Sequence, residues 1–291
     1  MVEQLFFSVP PDCDGMQAKW FLKGRCGLST RMITQLKREK DSILMNGKNL
    51  RSIDPVVAGA QIVITLPQEE MRIEPVGGAL DILYEDDSLL ILNKPPFMPV
   101  HPVKQHQTDT LANRVAAHCA EQGNAFVFRA IGRLDRDTSG TVLVAKNLYA
   151  ANLLKHGVSK VYYALVHGAV THDGVIRAPI GLKEDSKIVR HVLKEGTSAV
   201  THYEVIFSCP VCSLLRLWLE TGKTHQIRCH MASLGHPLLG DDLYGGQRDL
   251  INRQALHCGE ITLTHPLTNK KISLSAPMPA DMLTVINKFR D

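Results

Sequence analysis

Residues 131–146 read IGRLDRDTSGTVLVAK, and they set Asp135 between two arginines, Arg133 and Arg136. A second acid, Asp137, follows at once, and a Thr-Ser-Gly turn then leads into an apolar run. Turn residues before a run of branched apolar side chains predict a loop that enters a buried strand. The carboxylate of Asp135 either fixes this loop through a salt bridge or is kept ionised for chemistry, since a neighbouring cation favours the charged form.

Short apolar segments separated by turn residues recur along the rest of the chain, as DILY, LLILN, TVLVA, VYYALVHG, HYEVIF and LLRLWLE. Helical periodicity appears among them at TLANRVAAHCAEQ, THQIRCHMASLG and PADMLTVINKF. Strands outnumber helices and do not alternate regularly with them. The sequence therefore predicts an α+β fold, with a mixed, largely antiparallel sheet flanked by helices.

The chain of 291 residues is long enough for two domains, and its 44% hydrophobic and 21% charged residues are typical of a soluble globular protein. No apolar run approaches the roughly 18 residues that a membrane helix needs. The first residues, MVEQLFFSVPPDCDG, lack the basic cluster of a signal peptide. Seven scattered cysteines suit free thiols. These features predict a cytoplasmic protein that does not associate with membranes.

Positive charge is concentrated near the N-terminus. Between Lys19 and Arg51 there are nine basic and two acidic residues, a net charge of +7, whereas the whole chain carries only +4. A cluster of this kind is typical of a protein that binds a polyanion. A solvated helix face explains the charge equally well.

The same basic segment has a compact plan. Residues 20–22 lie in a first helical stretch, Ser29 or Thr30 can cap a second helix, and residues 46–47, Asn-Gly, mark a tight hairpin. The run QIVIT follows as another strand. Two basic helices packed against a small sheet form an α/β unit that resembles the alpha-L type RNA-binding domain. This resemblance implies that RNA is the polyanion.

The segment PQEEMRIEPVGGA has two prolines, a glycine pair and several charges, which is typical of a linker. We therefore predict three parts, which are the RNA-binding domain at residues 1–70 with its core at about 14–67, a linker at 71–78 and a catalytic domain at 79–291.

Motifs for cofactors are incomplete. In TGKTHQ, residues 221–226, the position of the first glycine of a phosphate-binding loop is taken by Leu217. Cys209 and Cys212 have no second pair at zinc-ribbon spacing, so buried or turn cysteines are favoured. His225 and His230 are five residues apart and do not share a helix face, and no GxGxxG follows a predicted strand. The sequence predicts no metal, no nucleotide and no other cofactor.

Four blocks in order resemble the RluA-type pseudouridine synthases, and the resemblance covers roughly residues 81–279. The blocks are ILYEDDSLLILNKPPFMPVHP, GRLDRDTSGTVLVAK, KVYYALVHG and LETGKTHQIRCHMASLGHPLLGDDLYGG. The resemblance implies isomerisation of a uridine within RNA. The N1–C1′ glycosidic bond breaks, the base turns, and C5 joins C1′, with no redox change and no energy donor.

The resemblance assigns three catalytic positions. Asp135 stands at the family's catalytic aspartate and Arg228 at the arginine that pairs with it. Tyr162 stands at the tyrosine that stacks on the flipped base and assists proton removal at C5, whereas Tyr163 alternates to the other strand face and belongs to the core. If Thr224 caps the following helix, Arg228 lies near its first turn, where the dipole disfavours a cation unless an anion is bound.

Eight residues are expected to bind RNA, some from the resemblance and some from the basic N-terminal charge: Arg31, Lys37, Arg38, Lys48, Lys94, Arg133, Lys223 and His225. Arg133 matches an arginine that enters the RNA stack as the target base flips out, and a simple phosphate contact is the alternative. Asp137 is assigned to structure, with Thr138 and Ser139, through side-chain bonds to the backbone of the loop.

Three residues depart from the family pattern. Gly132 replaces a histidine, Phe97 replaces a common glycine, and Lys223 replaces a frequent arginine. Gly132 could loosen the loop and Phe97 could reshape its turn. These departures bear on rate and substrate choice.

The favoured hypothesis is therefore an RNA uridine isomerase that acts on ribosomal or transfer RNA, as a monomer by default. Single-stranded loops are the favoured targets because their bases can be splayed out. The alternative is a catalytically silent RNA-binding or ribosome-assembly factor with the same fold. A glycoside or nucleoside hydrolase comes last, because that chemistry usually needs two cooperating carboxylates.

Overall fold

A computed structural model describes residues 4–67, 72–123 and 127–290 of the chain. Its N-terminal part has a four-stranded sheet in the order β1-β4-β2-β3. The strands are β1 Gln4–Ser8, β2 Ile43–Met45, β3 Lys48–Asn49 and β4 Gln61–Thr65, and two helices join them, α1 Ala18–Gly24 and α2 Thr30–Leu36. The predicted boundary at residues 70 and 71 lies outside the described residues.

Local sequence explains these N-terminal elements. The hydroxyl of Ser29 accepts a hydrogen bond from the Met32 amide and caps α2, as predicted. Asn46 and Gly47 both have positive φ, 49° and 78°, which is the geometry of a tight hairpin turn between β2 and β3. Strand β1 lies before the predicted core of 14–67, yet it pairs along its whole length with β4. Strand β1 therefore lies within the predicted N-terminal domain of residues 1–70 and outside its predicted core.

The larger part is built on a ten-stranded sheet whose path is β10-β13-β14-β9-β15-β8-β6-β5, with β16 paired to β15 and β7 to β8. Its strands are β5 Ile82–Glu85, β6 Leu89–Lys94, β7 Arg129–Ile131, β8 Ser139–Ala145, β9 Ser159–His167, β10 Gly174–Arg177, β13 Val200–Ser208, β14 Cys212–Leu219, β15 Leu256–Thr264 and β16 Lys271–Ser275. A separate hairpin contains β11 Ile180–Leu182 and β12 Arg190–Val192. The helices are α3 Leu111–Glu121, α4 Leu148–Leu153, α5 Gln226–Ser233 and α6 Ala280–Phe289. The β15–β8 pair is parallel and its neighbours are antiparallel, so the predicted mixed α+β fold is confirmed.

Helices cover both faces of this sheet. Leu90 and Leu92 of β6 pack in one cluster with α3, while Leu89 and Ile91, which alternate to the other face, pack with α4. The same alternation separates Tyr162, which packs beside α3 and α5, from Tyr163, which packs beside α6. The prediction that Tyr163 belongs to the core is confirmed.

One row of residues crosses four strands at the centre of the sheet. Gly140 on β8 pairs with Cys258 on β15, Cys258 pairs with Tyr162 on β9, and Tyr162 pairs with Leu217 on β14. Gly140 has a φ of 111°, and a Cβ at this position would lie 2.1 Å from the carbonyl oxygen of Cys258. Glycine therefore lets β8 approach β15 closely, which brings the loop before β8 to the same edge as Tyr162.

The N-terminal part packs against α4. The ring of Tyr149 lies in the hydrophobic cluster of the N-terminal part, and its hydroxyl donates to the carbonyl of Cys26 at 2.8 Å. The amide of Asn152 donates to the carbonyl of Gly27, also at 2.8 Å. The basic helices thus have a defined position relative to the large sheet. No helix within the described ranges is long and apolar enough to cross a bilayer.

Two buried histidines predict a pH dependence of stability. His230 and His257 are almost fully buried, and burial lowers the pKa of each below the ordinary 6.5. Below that pH the unfolded chain binds more protons at these sites than the folded chain does, so the free energy of unfolding falls as the pH falls. We expect denaturant unfolding to show lower stability at pH 5.5 than at pH 7.5. His257→Gln should reduce this difference, and an unchanged difference would contradict the assignment.

Candidate active site

The loop that carries Asp135 connects β7 to β8, and two buried basic side chains donate hydrogen bonds to its backbone. Lys94 donates from Nζ to the carbonyl of Arg136 at 2.9 Å, and Arg253 donates from Nη1 to the carbonyl of Asp137 at 3.1 Å. Within the loop, the amide of Thr138 donates to the carbonyl of Asp135 at 3.2 Å. Successive carbonyls are therefore bound, which fixes the backbone on which the Asp135 side chain stands.

Lys94 ends strand β6 and is 0% exposed. Its ammonium donates to three carbonyls, those of Pro95, Met98 and Arg136, at 2.8 to 2.9 Å. Burial lowers the pKa of Lys94 to about 7, and the negative charge of Asp137 opposes that effect. Because all three donors are engaged inside the protein, the prediction that Lys94 contacts RNA is wrong. Its role in this structure is to hold the loop.

Arg253 also holds the backbone of the Asp135 loop. Its side chain is fully buried, and its Nε and Nη2 donate to the carboxylate of Asp281, at the start of α6, at 2.6 and 2.9 Å. The remaining nitrogen reaches the carbonyls of Asp137, Gln254 and Leu256. No motif in the sequence pointed to this residue.

Asp137 pairs with a side chain, where bonds to the backbone were predicted. Its two carboxylate oxygens accept from Nε and Nη2 of Arg136 at 2.7 and 3.0 Å. Thr138 accepts from the amide of Gln254, and the hydroxyl of Ser139 bonds to the imidazole of His257. The prediction of local backbone bonds for these three side chains is therefore wrong, since Asp137 pairs with the adjacent Arg136, while Thr138 and Ser139 bond to residues distant in sequence.

Arg228, on α5, lies between two carboxylates. It donates from Nε and Nη2 to Asp241 at 2.6 and 2.8 Å, and from Nη1 to Oδ2 of Asp135 at 3.0 Å. Burial alone would lower the pKa of Arg228, but Asp241 and then Asp135 raise it above its ordinary value. Asp241 is 1% exposed, whereas the side chain of Asp135 is 29% exposed. The inner carboxylate anchors the cation, and the outer one faces the cleft.

Helix α5 begins differently from the prediction. Its N-cap residue is His225, in the left-handed region with a φ of 57°, so the predicted cap by Thr224 is wrong. The Gln226 side chain orders this entry, because its oxygen accepts from the amide of Lys223 and the hydroxyl of Thr221. Arg228 still lies in the first turn, where the two carboxylates offset its conflict with the helix dipole.

His225 lies on the second side of Asp135. Its Nε2 is 3.7 Å from Oδ2 of Asp135, and its Nδ1 is 3.0 Å from the hydroxyl of Tyr244. That hydroxyl also accepts from the amide of Arg190. Burial lowers the pKa of His225, which favours the neutral ring. His225 thus joins Asp135 to Tyr244 at the edge of the cleft.

Tyr162 faces the same cleft from the middle of β9. Burial, followed by the Cys258 thiol and Asp135, raises the pKa of Tyr162 well above 10. The phenol is therefore protonated at neutral pH. The site contains an aromatic ring and a neutral hydroxyl close to a carboxylate.

Six of the predicted residues line this one cleft, namely Arg133, Asp135, Tyr162, Lys223, His225 and Arg228. Arg133 and Lys223 are exposed at its rim, where a polyanion can reach them. Arg31, Lys37, Arg38 and Lys48 are exposed on the N-terminal part and lie outside the cleft. Their contacts with RNA stay predictions.

Two of the three residues that depart from the family pattern have a left-handed backbone conformation. Gly132 has a φ of 77°, which glycine adopts without strain, and it precedes Arg133. Phe97 has a φ of 64°, which is uncommon for a bulky side chain. Within the parts of the chain that the structure describes, no group of three His, Cys, Asp or Glu side chains could hold a metal ion.

Comparison with known proteins identifies relatives of this site and fold. The sequence profile of the RNA pseudouridylate synthase family matches residues 88–233. An uncharacterized RNA pseudouridine synthase of Bacillus subtilis, YjbO, is 40% identical over 273 residues, which are 90% of this chain and 96% of that protein. The ribosomal large subunit pseudouridine synthase D of Neisseria meningitidis is 36% identical over 272 residues, 87% of this chain and 73% of that protein. The structure of human RNA pseudouridylate synthase domain containing 4 has a similar fold, with a TM-score of 0.58 at 22% identity over 72% of this chain and 93% of that chain.

Loss of the ion pair between Arg228 and Asp241 should lower the stability of the fold, and the neighbouring Asp242 provides a matched control. Asp241→Asn leaves the buried Arg228 without its bidentate partner, so we expect the free energy of unfolding to fall by about 3 kcal/mol. Asp242→Asn removes the adjacent carboxylate, which pairs with Arg248 on the surface, and should cost less than about 1 kcal/mol. Denaturant titration measures both values. Equal effects of the two substitutions would contradict the anchoring role of Asp241.

Proposed function

The chain belongs to the RNA pseudouridylate synthase family, as its four sequence blocks indicated, and from that premise we propose that Asp135 is the catalytic carboxylate with which it converts specific uridines in structured RNA to pseudouridine. The observation that carries this proposal is the 3.0 Å bond from Arg228 to Asp135 in the cleft shared with Tyr162. This charge-assisted bond holds the partly exposed carboxylate in place at the cleft, where RNA can reach it.

The first step breaks the N1–C1′ bond of the target uridine. Asp135 either adds through one oxygen to C1′, with the bonding electrons of N1–C1′ passing to the uracil ring, or stabilises a glycal-type intermediate of the sugar. Arg228 and His225 both face Oδ2 of Asp135. We therefore assign Oδ1 as the reacting oxygen, which faces the substrate while Oδ2 remains bound.

The second step joins C5 to C1′. The detached uracil turns within the cleft, C5 forms the new bond, any ester to Asp135 breaks, and the C5 proton leaves while N1 gains one. Atoms and electrons balance without a cofactor. We assign the ring of Tyr162 to stacking on the uracil during this turn. Its raised pKa makes a phenolate scarce at neutral pH, so proton removal at C5 by Tyr162 is not favoured.

RNA recognition uses the rim of the cleft and the basic N-terminal part. Arg133 and Lys223 are exposed beside the catalytic carboxylate, and Arg133 either enters the RNA stack or binds a phosphate. We place ribosomal RNA before transfer RNA as the substrate, since a relative is named a large-subunit pseudouridine synthase. We further propose that the enzyme acts in the cytoplasm and as a monomer.

The other two hypotheses find less support. Hydrolysis of a glycosidic bond would need a second available carboxylate. Asp241 is nearby, but Arg228 binds both of its oxygens, and Arg136 binds both oxygens of Asp137. A silent RNA-binding factor would have no need for a carboxylate held by Arg228, and neither Gly132 nor Phe97 displaces it.

Replacing Asp135 tests the proposal. Asp135→Asn removes the charge without changing the shape of the side chain, so isomerisation should fall by a factor on the order of 10³ or more, with RNA binding retained. Release of tritium from [5-³H]uridine transcripts of ribosomal and transfer RNA measures the reaction.

Asp137→Asn is the matched control, because it removes the neighbouring charge from the same loop. Its activity should stay within about tenfold of the wild type if the carboxylate only pairs with Arg136. Full activity of Asp135→Asn, or loss of activity in Asp137→Asn alone, would contradict the assignment. A pseudouridine map of cells that lack the gene, restored with wild type or with Asp135→Asn, identifies the uridine.

A further inference from the structure

Phe97 occupies an unfavourable position for a large apolar residue. Its backbone has a φ of 64°, and 57% of its side chain is exposed to solvent. A left-handed conformation is uncommon for a bulky residue, and such strained residues cluster at functional sites. Neither backbone preference nor burial accounts for a phenylalanine here. A contact with something outside the chain would account for it.

The turn that carries Phe97 is fixed to the catalytic loop. The ammonium of Lys94 binds the carbonyls of Pro95 and Met98, on the two sides of Phe97, at 2.8 and 2.9 Å. The same ammonium binds the carbonyl of Arg136, the residue after Asp135, at 2.9 Å. One buried side chain therefore joins the Phe97 turn to the Asp135 loop, so the turn lies directly beside that loop.

The turn is also rigid and lies beside positive charge. Residues 95–99 read PPFMP, and proline fixes φ on both sides of Phe97, which limits the motion of its backbone. His101 follows in the same segment. Burial lowers the pKa of His101 below its ordinary value, and the positive charge of Arg133 lowers it further. Arg133 therefore lies close to this segment. A rigidly held, exposed aromatic side chain beside the loop that carries a cleft arginine is a combination that suits a single-stranded nucleic acid.

We propose that Phe97 is a stacking platform for a base that flanks the target uridine in the bound RNA. The proposal rests on the function proposed above. A phenylalanine ring offers a flat apolar face to any of the four bases, while Arg133 and Lys223 bind the neighbouring phosphates. Preorganisation by Lys94 and the prolines limits the entropy lost on binding. Phe97 thereby contributes to substrate choice and takes no part in the chemical step.

The test compares substitutions at Phe97 in the full chain. Phe97→Gly removes the ring, and glycine adopts the positive φ without strain, so this variant should be at least as stable as the wild type. We expect its KM and its Kd for RNA to rise about tenfold, with kcat changed less than twofold. Phe97→Trp should retain affinity, whereas Phe97→Leu, which is apolar without an aromatic face, should lose most of it.

A short fluorescein-labelled RNA hairpin with uridines in its loop serves as the binding probe, and fluorescence anisotropy gives Kd. Replacing loop bases one at a time by abasic sites should identify one flanking position that weakens binding to the wild type but not to Phe97→Gly. Leu283→Ala is the control, because Leu283 is also exposed but lies on α6, which packs on the sheet face of Tyr163, opposite to Tyr162. It should leave Kd unchanged.

Three outcomes would overturn the proposal, namely an unchanged Kd in Phe97→Gly, equal losses in Phe97→Gly and Leu283→Ala, or abasic sites that affect both the wild type and Phe97→Gly alike. The binding readout is independent of turnover. If the wild type forms no pseudouridine in any transcript, the proposed function fails, while a selective loss of RNA affinity in Phe97→Gly would still support the stacking contact.

Discussion

The guanidinium of Arg228 between the carboxylates of Asp241 and Asp135 is the interaction on which the site depends. The inner contact is bidentate and fully buried, and the outer contact is a single bond to a partly exposed acid. A buried cation is costly unless it is paired and hydrogen-bonded, and Asp241 provides that pairing. The remaining nitrogen of Arg228 binds Oδ2 of Asp135, and we propose that the other oxygen of Asp135 reacts with the substrate.

The backbone beneath Asp135 is held by separate means. Lys94 and Arg253 bind successive carbonyls of the loop, and each is buried with partners for its other donors. Gly140 permits the close approach of β8 to β15 that brings this loop beside Tyr162. Two cations hold the backbone and one holds the side chain. Preorganisation of this kind places charge where it is needed before the substrate binds.

The sequence predicted best those features that depend on neighbouring residues. Strands β6, β8, β9 and β14 are continuous apolar runs, and the α2 cap and the hairpin at Asn46 follow from local chemistry. Strand β15 was not predicted, because His257 and Gly259 interrupt its apolar pattern. The catalytic positions came from the resemblance to a family. The roles of Lys94, Arg253 and Asp241 could not be read from the sequence, because each acts through contacts that only the folded chain creates. Lys94 shows the difference most clearly, since a basic residue in a motif suggested an RNA contact and burial excludes it.

If Asp241 affects the reaction only by holding Arg228 against Asp135, a double-mutant cycle of these two residues will show it. Single-turnover rates of pseudouridine formation would be measured for the wild type, Asp241→Asn, Arg228→Gln and the double variant. We expect the double variant to be no slower than Arg228→Gln alone, because without Arg228 the carboxylate of Asp241 has no cation to hold. Losses that add in the double variant would show that Asp241 acts independently and would contradict the account.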